Sequence, residues 1–175
     1  VGSRLAPRFC PAVWAALAVK RFLVAYATNA GSTAEVAEAV ARILAEAGDA
    51  VDLRPLEDVA DAAAYDAVVV GAPMILGWHR AAVRFLKKYQ AALAGRPAAY
   101  FATMMSLTQA GNLPAGCPAV QIDPWLAKPP KNTGRLGLKE RYALPENYLR
   151  PMLQAAPGLR PLRVGFFGGK LELFR

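Results

Sequence analysis

Residues 20–36 read Lys20-Arg21-Phe22-Leu23-Val24-Ala25-Tyr26-Ala27-Thr28-Asn29-Ala30-Gly31-Ser32-Thr33-Ala34-Glu35-Val36, and the rest of the chain is placed by what this segment must be. Residues 22–27 are an unbroken apolar run, the pattern of a strand covered on both faces. Behind it Val36, Val40, Ile43 and Leu44 recur at helical spacing, and Ser32 or Thr33 is the expected N-cap. A short loop feeding a helix start presents unpaired backbone N–H groups and the positive end of the helix dipole. That combination suits an anion, most often a phosphate. Thr28, Ser32 and Thr33 add hydroxyl groups, and Gly31 lets the backbone come close. An ordinary βα turn with a good cap has the same composition, so at this point both readings stand.

Working outward, the pattern alternates. A helix over 34–47 should stop at Gly48, a strand follows over 50–56 with Val51 and Leu53 alternating, and 57–65 reads as a turn or short helix. Residues 67–72 form a third, fully apolar strand. The loop 73–79 leads to a helix over 80–93, with Val83, Leu86, Tyr89 or Gln90, and Leu93 on one face. A fourth strand covers 97–105, and a fifth covers 162–167 before Gly168-Gly169. Strands alternating with helices imply a doubly wound α/β domain with a five-stranded parallel sheet. Between the last two strands, 109–161 is rich in proline, glycine and bases. Residues 142–154 hold helical character, and the remainder reads as an ordered excursion at one end of the sheet.

Composition sets the outer limits. A chain of 175 residues with 55% hydrophobic content and positive mean hydropathy fits one domain with a sizeable core, here residues 20–175, preceded by an N-terminal arm over 1–19. The apolar part of that arm, 12–19, is too short to span a bilayer. Cys10 and Cys117 have no metal-ligand spacing, and a single histidine rules out a His pair, so no metal site is expected. The net charge of +8 is unevenly spread: 22–66 holds nine acids and two bases, whereas 67–175 holds fifteen bases and four acids.

In a doubly wound sheet, ligands bind at the carboxyl ends of the strands. Three loops lie there: 28–33, 73–79 and 104–109. The first suits a phosphate. The second, Pro73-Met74-Ile75-Leu76-Gly77-Trp78-His79, is apolar, and the third carries Met104, Met105, Ser106, Leu107 and Thr108. A flat aromatic ring with a phosphate tail would satisfy all three. Neither G-x-G-x-x-G nor G-x-x-x-x-G-K-S/T follows the first strand, which disfavours dinucleotides and P-loop chemistry. The bland readings are that Trp78 anchors its loop, His79 starts a helix, and Met104 and Met105 fill the core.

Two motifs then make a resemblance explicit. Thr28-Asn29-Ala30-Gly31-Ser32-Thr33 resembles the FMN-phosphate loop T/S-x-T-G-x-T of flavodoxins, and Gly71-Ala72-Pro73 resembles the G-x-P that opens their isoalloxazine-binding loop. The resemblance covers 21–107 and resumes at Arg163. It implies the strand order 2-1-3-4-5, FMN as cofactor, and a binding site made of Thr28, Asn29, Ala30, Gly31, Ser32, Thr33, Pro73, Met74, Ile75, Leu76, Gly77, Trp78, Met105, Ser106, Leu107 and Thr108. Residues 65–79, the basic helix after them, and Phe166-Phe167-Gly168-Gly169-Lys170-Leu171 resemble one branch in particular, the menaquinone-dependent protoporphyrinogen dehydrogenases. The chain departs from the pattern at Ala30, where the family has a hydroxyl, and at Leu76, where that branch has a base. It also lacks the stacking tyrosine of carrier flavodoxins, and it stops where the family has a final helix.

The resemblance implies an FMN-dependent oxidoreductase passing electrons from an organic substrate to a quinone-type acceptor, in the cytoplasm or against a membrane. A one-electron carrier and an FMN-free interaction module are the competing classes. Lys128, Lys131, Arg135, Lys139, Arg141, Arg150 and Arg160 outnumber Asp123, Glu140 and Glu146 in the excursion, so an acidic substrate or an anionic membrane surface is the expected partner. Few aromatics interleave these bases, and nucleic acid is not expected.

Overall fold

The computed structural model describes residues 21–109, 113, 118–132 and 134–169. The expectations placed on the arm 1–19, on Cys10 and Cys117, and on Lys170 and the residues after it lie outside these. Arg21–Tyr26 forms β1, Ser32–Glu46 α1, Ala50–Pro55 β2, Ala67–Pro73 β3, Arg80–Leu93 α2 and Ala98–Met104 β4. A single 3-10 turn, Leu56–Asp58, follows β2. Then come Leu107–Thr108 (β5), Ala119–Ile122 (β6), Ala127–Lys128 (β7), Leu138–Tyr142 (α3), Pro145–Gln154 (α4) and Arg163–Gly168 (β8).

The main sheet is parallel throughout, in the order β2-β1-β3-β4-β8-β6. The five-stranded expectation is therefore corrected to six strands. The extra strand, β6, comes from the excursion and pairs with β8 from Ala119↔Arg163 to Ile122↔Phe166. Val120 and Ile122 turn to the core, while Ala119 and Gln121 remain exposed, as an edge strand allows. Other described parts of the excursion are folded too: β5 and β7 make a two-stranded parallel sheet, and α3 and α4 follow.

The fully apolar β3 lies at the centre and is buried along its whole length. One face of the sheet carries Leu23, Val68, Val70, Tyr100, Val164 and Phe166 against Phe85, Leu86 and Tyr89 of α2 and Tyr148, Leu149 and Met152 of α4. The other carries Val24, Val69 and Phe101 against Ala37 and Ala41 of α1. Gly71 in β3 faces the Phe101 ring so closely that an added Cβ would sit 1.8 Å from it. Because every strand runs the same way, the segments after β1, β3, β4 and β6 all emerge at one end.

Candidate functional site

The segment after β1 folds back on itself. The Thr28 Oγ1 accepts a hydrogen bond from the Gly31 N–H at 2.9 Å, and Gly31 takes φ 81°, a left-handed conformation that favours glycine. The helix then starts at Ser32. Its cap position is Gly31, without a side-chain bond, which corrects the expectation of Ser32 or Thr33 as N-cap. The reason lies one turn deeper: Thr33 is buried and its hydroxyl pairs with that of Thr103 on β4 at 2.7 Å. That bond fixes the start of α1 against the sheet. The first helical bond runs from Glu35 N–H to the Gly31 carbonyl. The amides of Ser32, Thr33 and Ala34 are left without a partner among the described residues, at the positive end of a helix of 15 residues. Thr28 and Asn29 are exposed beside them, and Ala30 is half-buried.

Two residues outside the predicted site complete this corner, Thr103 and Gly169. The Gly169 N–H donates to the Met104 carbonyl at 2.9 Å. A Cβ on Gly169 would lie 3.4 Å from Thr103 Cβ and 3.5 Å from Ser32 Oγ. These are ordinary contact distances, which place Gly169 directly beside the helix start. The sequence signal was the Gly168-Gly169 pair after an apolar strand.

The segment after β3 forms a tight loop. Met74 N–H donates to the Thr103 carbonyl at 2.8 Å, Met74 and Trp78 make an antiparallel bridge, and Gly77 takes φ 107°. Met74 and Trp78 turn inward, and Trp78 packs on Tyr100 with ring centroids 5.4 Å apart. Ile75 and Leu76 point outward, Leu76 with 92% of its surface exposed. His79 caps α2, its Nδ1 accepting from the Ala81 N–H at 3.2 Å. After β4, Met105 and Ser106 are exposed, whereas Leu107 and Thr108 are buried. The N–H groups of Leu107 and Thr108 donate to the carbonyls of Leu126 and Ala143. The structure thus brings 28–34, Ile75, Leu76, Gly77, Met105 and Ser106 to one accessible end. Met74, Trp78, Leu107 and Thr108 lie beneath as support.

Electrostatically the corner is plain. Burial pushes the Tyr100 hydroxyl well above its usual range, so it stays neutral. Among the described residues no group of histidine, cysteine, aspartate or glutamate side chains could hold a metal ion. None of the described helices is long and apolar enough to cross a membrane.

A parallel α/β sheet with an open helix N-terminus after its first strand defines a doubly wound protein with a corner suited to an anion. More specifically, the chain belongs to the flavodoxin-domain family, whose model matches residues 23–175. No curated protein matches it significantly. Among solved structures it is similar to an archaeal flavodoxin, at 20% identity and a TM-score of 0.47, over 49% of this chain and 63% of that one. It is also similar to a short-chain flavodoxin associated with a non-canonical PDU bacterial microcompartment, at 23% identity and a TM-score of 0.45, over 49% of this chain and 62% of that one. A third is a Fusobacterium nucleatum flavodoxin bound to flavin mononucleotide, at 17% identity and a TM-score of 0.43, over 49% of this chain and 53% of that one. The chain therefore spans less than two thirds of each of these flavodoxins.

Proposed function

We propose that this chain is an FMN-dependent oxidoreductase of the protoporphyrinogen dehydrogenase type, passing electrons from an acidic organic substrate to a quinone-type acceptor. The observation that carries the FMN reading is the set of unpartnered amides at Ser32, Thr33 and Ala34, next to the exposed Thr28 hydroxyl. These donors suit a phosphate dianion. Exposed Ile75, Leu76 and Met105 offer apolar surface to a flat ring at the carboxyl ends of β3 and β4. When bound, the flavin supplies the redox chemistry. The chain's residues hold the phosphate, place the ring and keep water from one of its faces.

A one-electron carrier is the second reading. The observation favouring it is that the chain's single histidine, His79, is spent on capping α2. The exposed bases of the excursion favour the oxidoreductase, because they suit an acidic substrate. The test is turnover of protoporphyrinogen with a quinone acceptor by the FMN-loaded chain. Steady reduction of the quinone supports the oxidoreductase. Reversible flavin reduction without such turnover supports the carrier. A Ser32→Asp variant, which sets a negative charge at the helix start, is expected to lose FMN while keeping its fold.

A further inference from the structure

Eight large apolar side chains are exposed among the described residues, and six of them, Ile75, Leu76, Met105, Trp125, Leu138 and Tyr142, belong to the carboxyl-end loops or to the excursion joined to them. Trp125 and Leu138 are exposed to 92% and 86%. Side chains so free of neighbours stand out from the surface; they do not line a groove. Trp125 sits in the turn after β6, and the Asp123 N–H bonds the Phe166 carbonyl, which holds that turn at the same end as the loops after β3 and β4. Leu138 opens α3, and the Ala143 carbonyl just past α3 accepts from Thr108 N–H, which ties the helix to β5.

The charges around them are mostly positive, although the Asp123 carboxylate accepts from the Trp125 N–H at 2.9 Å. Lys128, Lys131, Arg135, Lys139 and Arg141 are all exposed. The one acid over 124–143 is Glu140. Its carboxylate accepts from the backbone N–H groups of Lys131 and Gly137, which fold the basic loop back onto α3. An exposed tryptophan and an exposed leucine on a segment rich in exposed bases is the chemistry of a bilayer interface: indole at headgroup depth, bases on anionic lipid.

We propose that this end of the molecule docks on an anionic lipid bilayer, with Trp125 and Leu138 entering the headgroup region and the basic segment 128–141 holding them there. Docking would present the proposed flavin corner to a quinone dissolved in the membrane. The inference extends the flavin reading, but lipid binding needs no flavin, so either can fail without the other.

The test is co-sedimentation of the flavin-free full chain with vesicles of pure phosphatidylcholine and with vesicles containing a quarter phosphatidylglycerol. Binding is expected only to the anionic vesicles, and it should weaken with salt. Each base near such a surface is worth about fivefold in partitioning, so Lys128→Glu, Lys131→Glu and Arg135→Glu together should weaken it by about a hundredfold or more. Trp125→Ala and Leu138→Ser should each weaken binding while leaving its salt dependence, with circular dichroism confirming the fold. Equal or absent binding to the two vesicles would overturn the proposal, as would unchanged binding in the charge-reversed variant. A dimer dispersed by Trp125→Ala, without vesicle binding, would assign the surface to a second copy of the chain and overturn it as well.

Discussion

Gly71 reads in the sequence as part of a ring-binding motif, yet the structure gives it a packing task that can be tested by itself. In Gly71→Ala the new methyl carbon would lie 1.8–2.4 Å from three carbons of the Phe101 ring. Ordinary carbon contacts are about 3.5–4.0 Å, so the ring must retreat by roughly 1.5 Å. It has little room: Phe101 is buried and meets Phe167 edge-on at 6.1 Å. Overpacking of this kind costs about 1–3 kcal/mol, and a site with no slack falls at the upper end. Restricting the unfolded chain by replacing glycine returns about 0.4–1 kcal/mol. The net loss is about 2 kcal/mol, which for a chain of this size lowers Tm by about 4–8 °C. Thermal and urea unfolding followed by circular dichroism measure it. The double variant Gly71→Ala/Phe101→Leu should be more stable than the sum of the single changes implies, by about 1 kcal/mol or more, because leucine vacates the space. A Gly71→Ala protein within about 0.5 kcal/mol of the parent, or strict additivity in the double variant, would refute the assignment.

Three further outcomes follow from the same structure. Thr33→Val or Thr103→Val should each cost about 1–3 kcal/mol by orphaning the partner hydroxyl, while the double change should be close to neutral; a chemical-denaturation cycle reads the coupling. The buried Tyr100 hydroxyl has no hydrogen-bond partner among the described residues, so Tyr100→Phe should leave stability unchanged or raise it by up to about 1 kcal/mol, and a clear loss in urea unfolding would contradict this. The Tyr65 hydroxyl donates to Asp52 at 2.7 Å, and this bond holds the Asp52 carboxyl below its ordinary value. Its contribution is complete above about pH 4 and is lost as pH falls through the lowered value, so the urea midpoint of Tyr65→Phe should fall less than that of the parent on acidification.

Most of the sheet was legible because its strands are buried on both faces: continuous runs such as 67–72 admit few alternatives, and the glycines at 48 and 168–169 mark ends. Strand β6 was not legible. Ala119-Val120-Gln121-Ile122 is only four residues long, alternates weakly, and gains its place by pairing with a strand more than forty residues later. The proposed phosphate corner is visible in the sequence as residue types, but not as geometry. Nothing in the pattern shows that Thr33 turns toward Thr103, that Thr28 closes onto Gly31, or that Gly169 returns beside Ser32. The loop 73–79 was read as one apolar lining. The bridge between Met74 and Trp78 divides it into an inner pair and an outer tip, which depends on Gly77 adopting its left-handed turn.

The most direct test of the phosphate corner is a side-by-side titration of the flavin-free protein with FMN and with riboflavin, which differ only in the phosphate. Two or three charge-assisted bonds from Ser32, Thr33 and Ala34, at about 1.5–3 kcal/mol each, make FMN bind at least about a hundredfold more tightly, followed by quenching of flavin fluorescence. Equal affinities for the two, or no binding of FMN, would contradict the assignment of the helix start at Ser32 as its phosphate site.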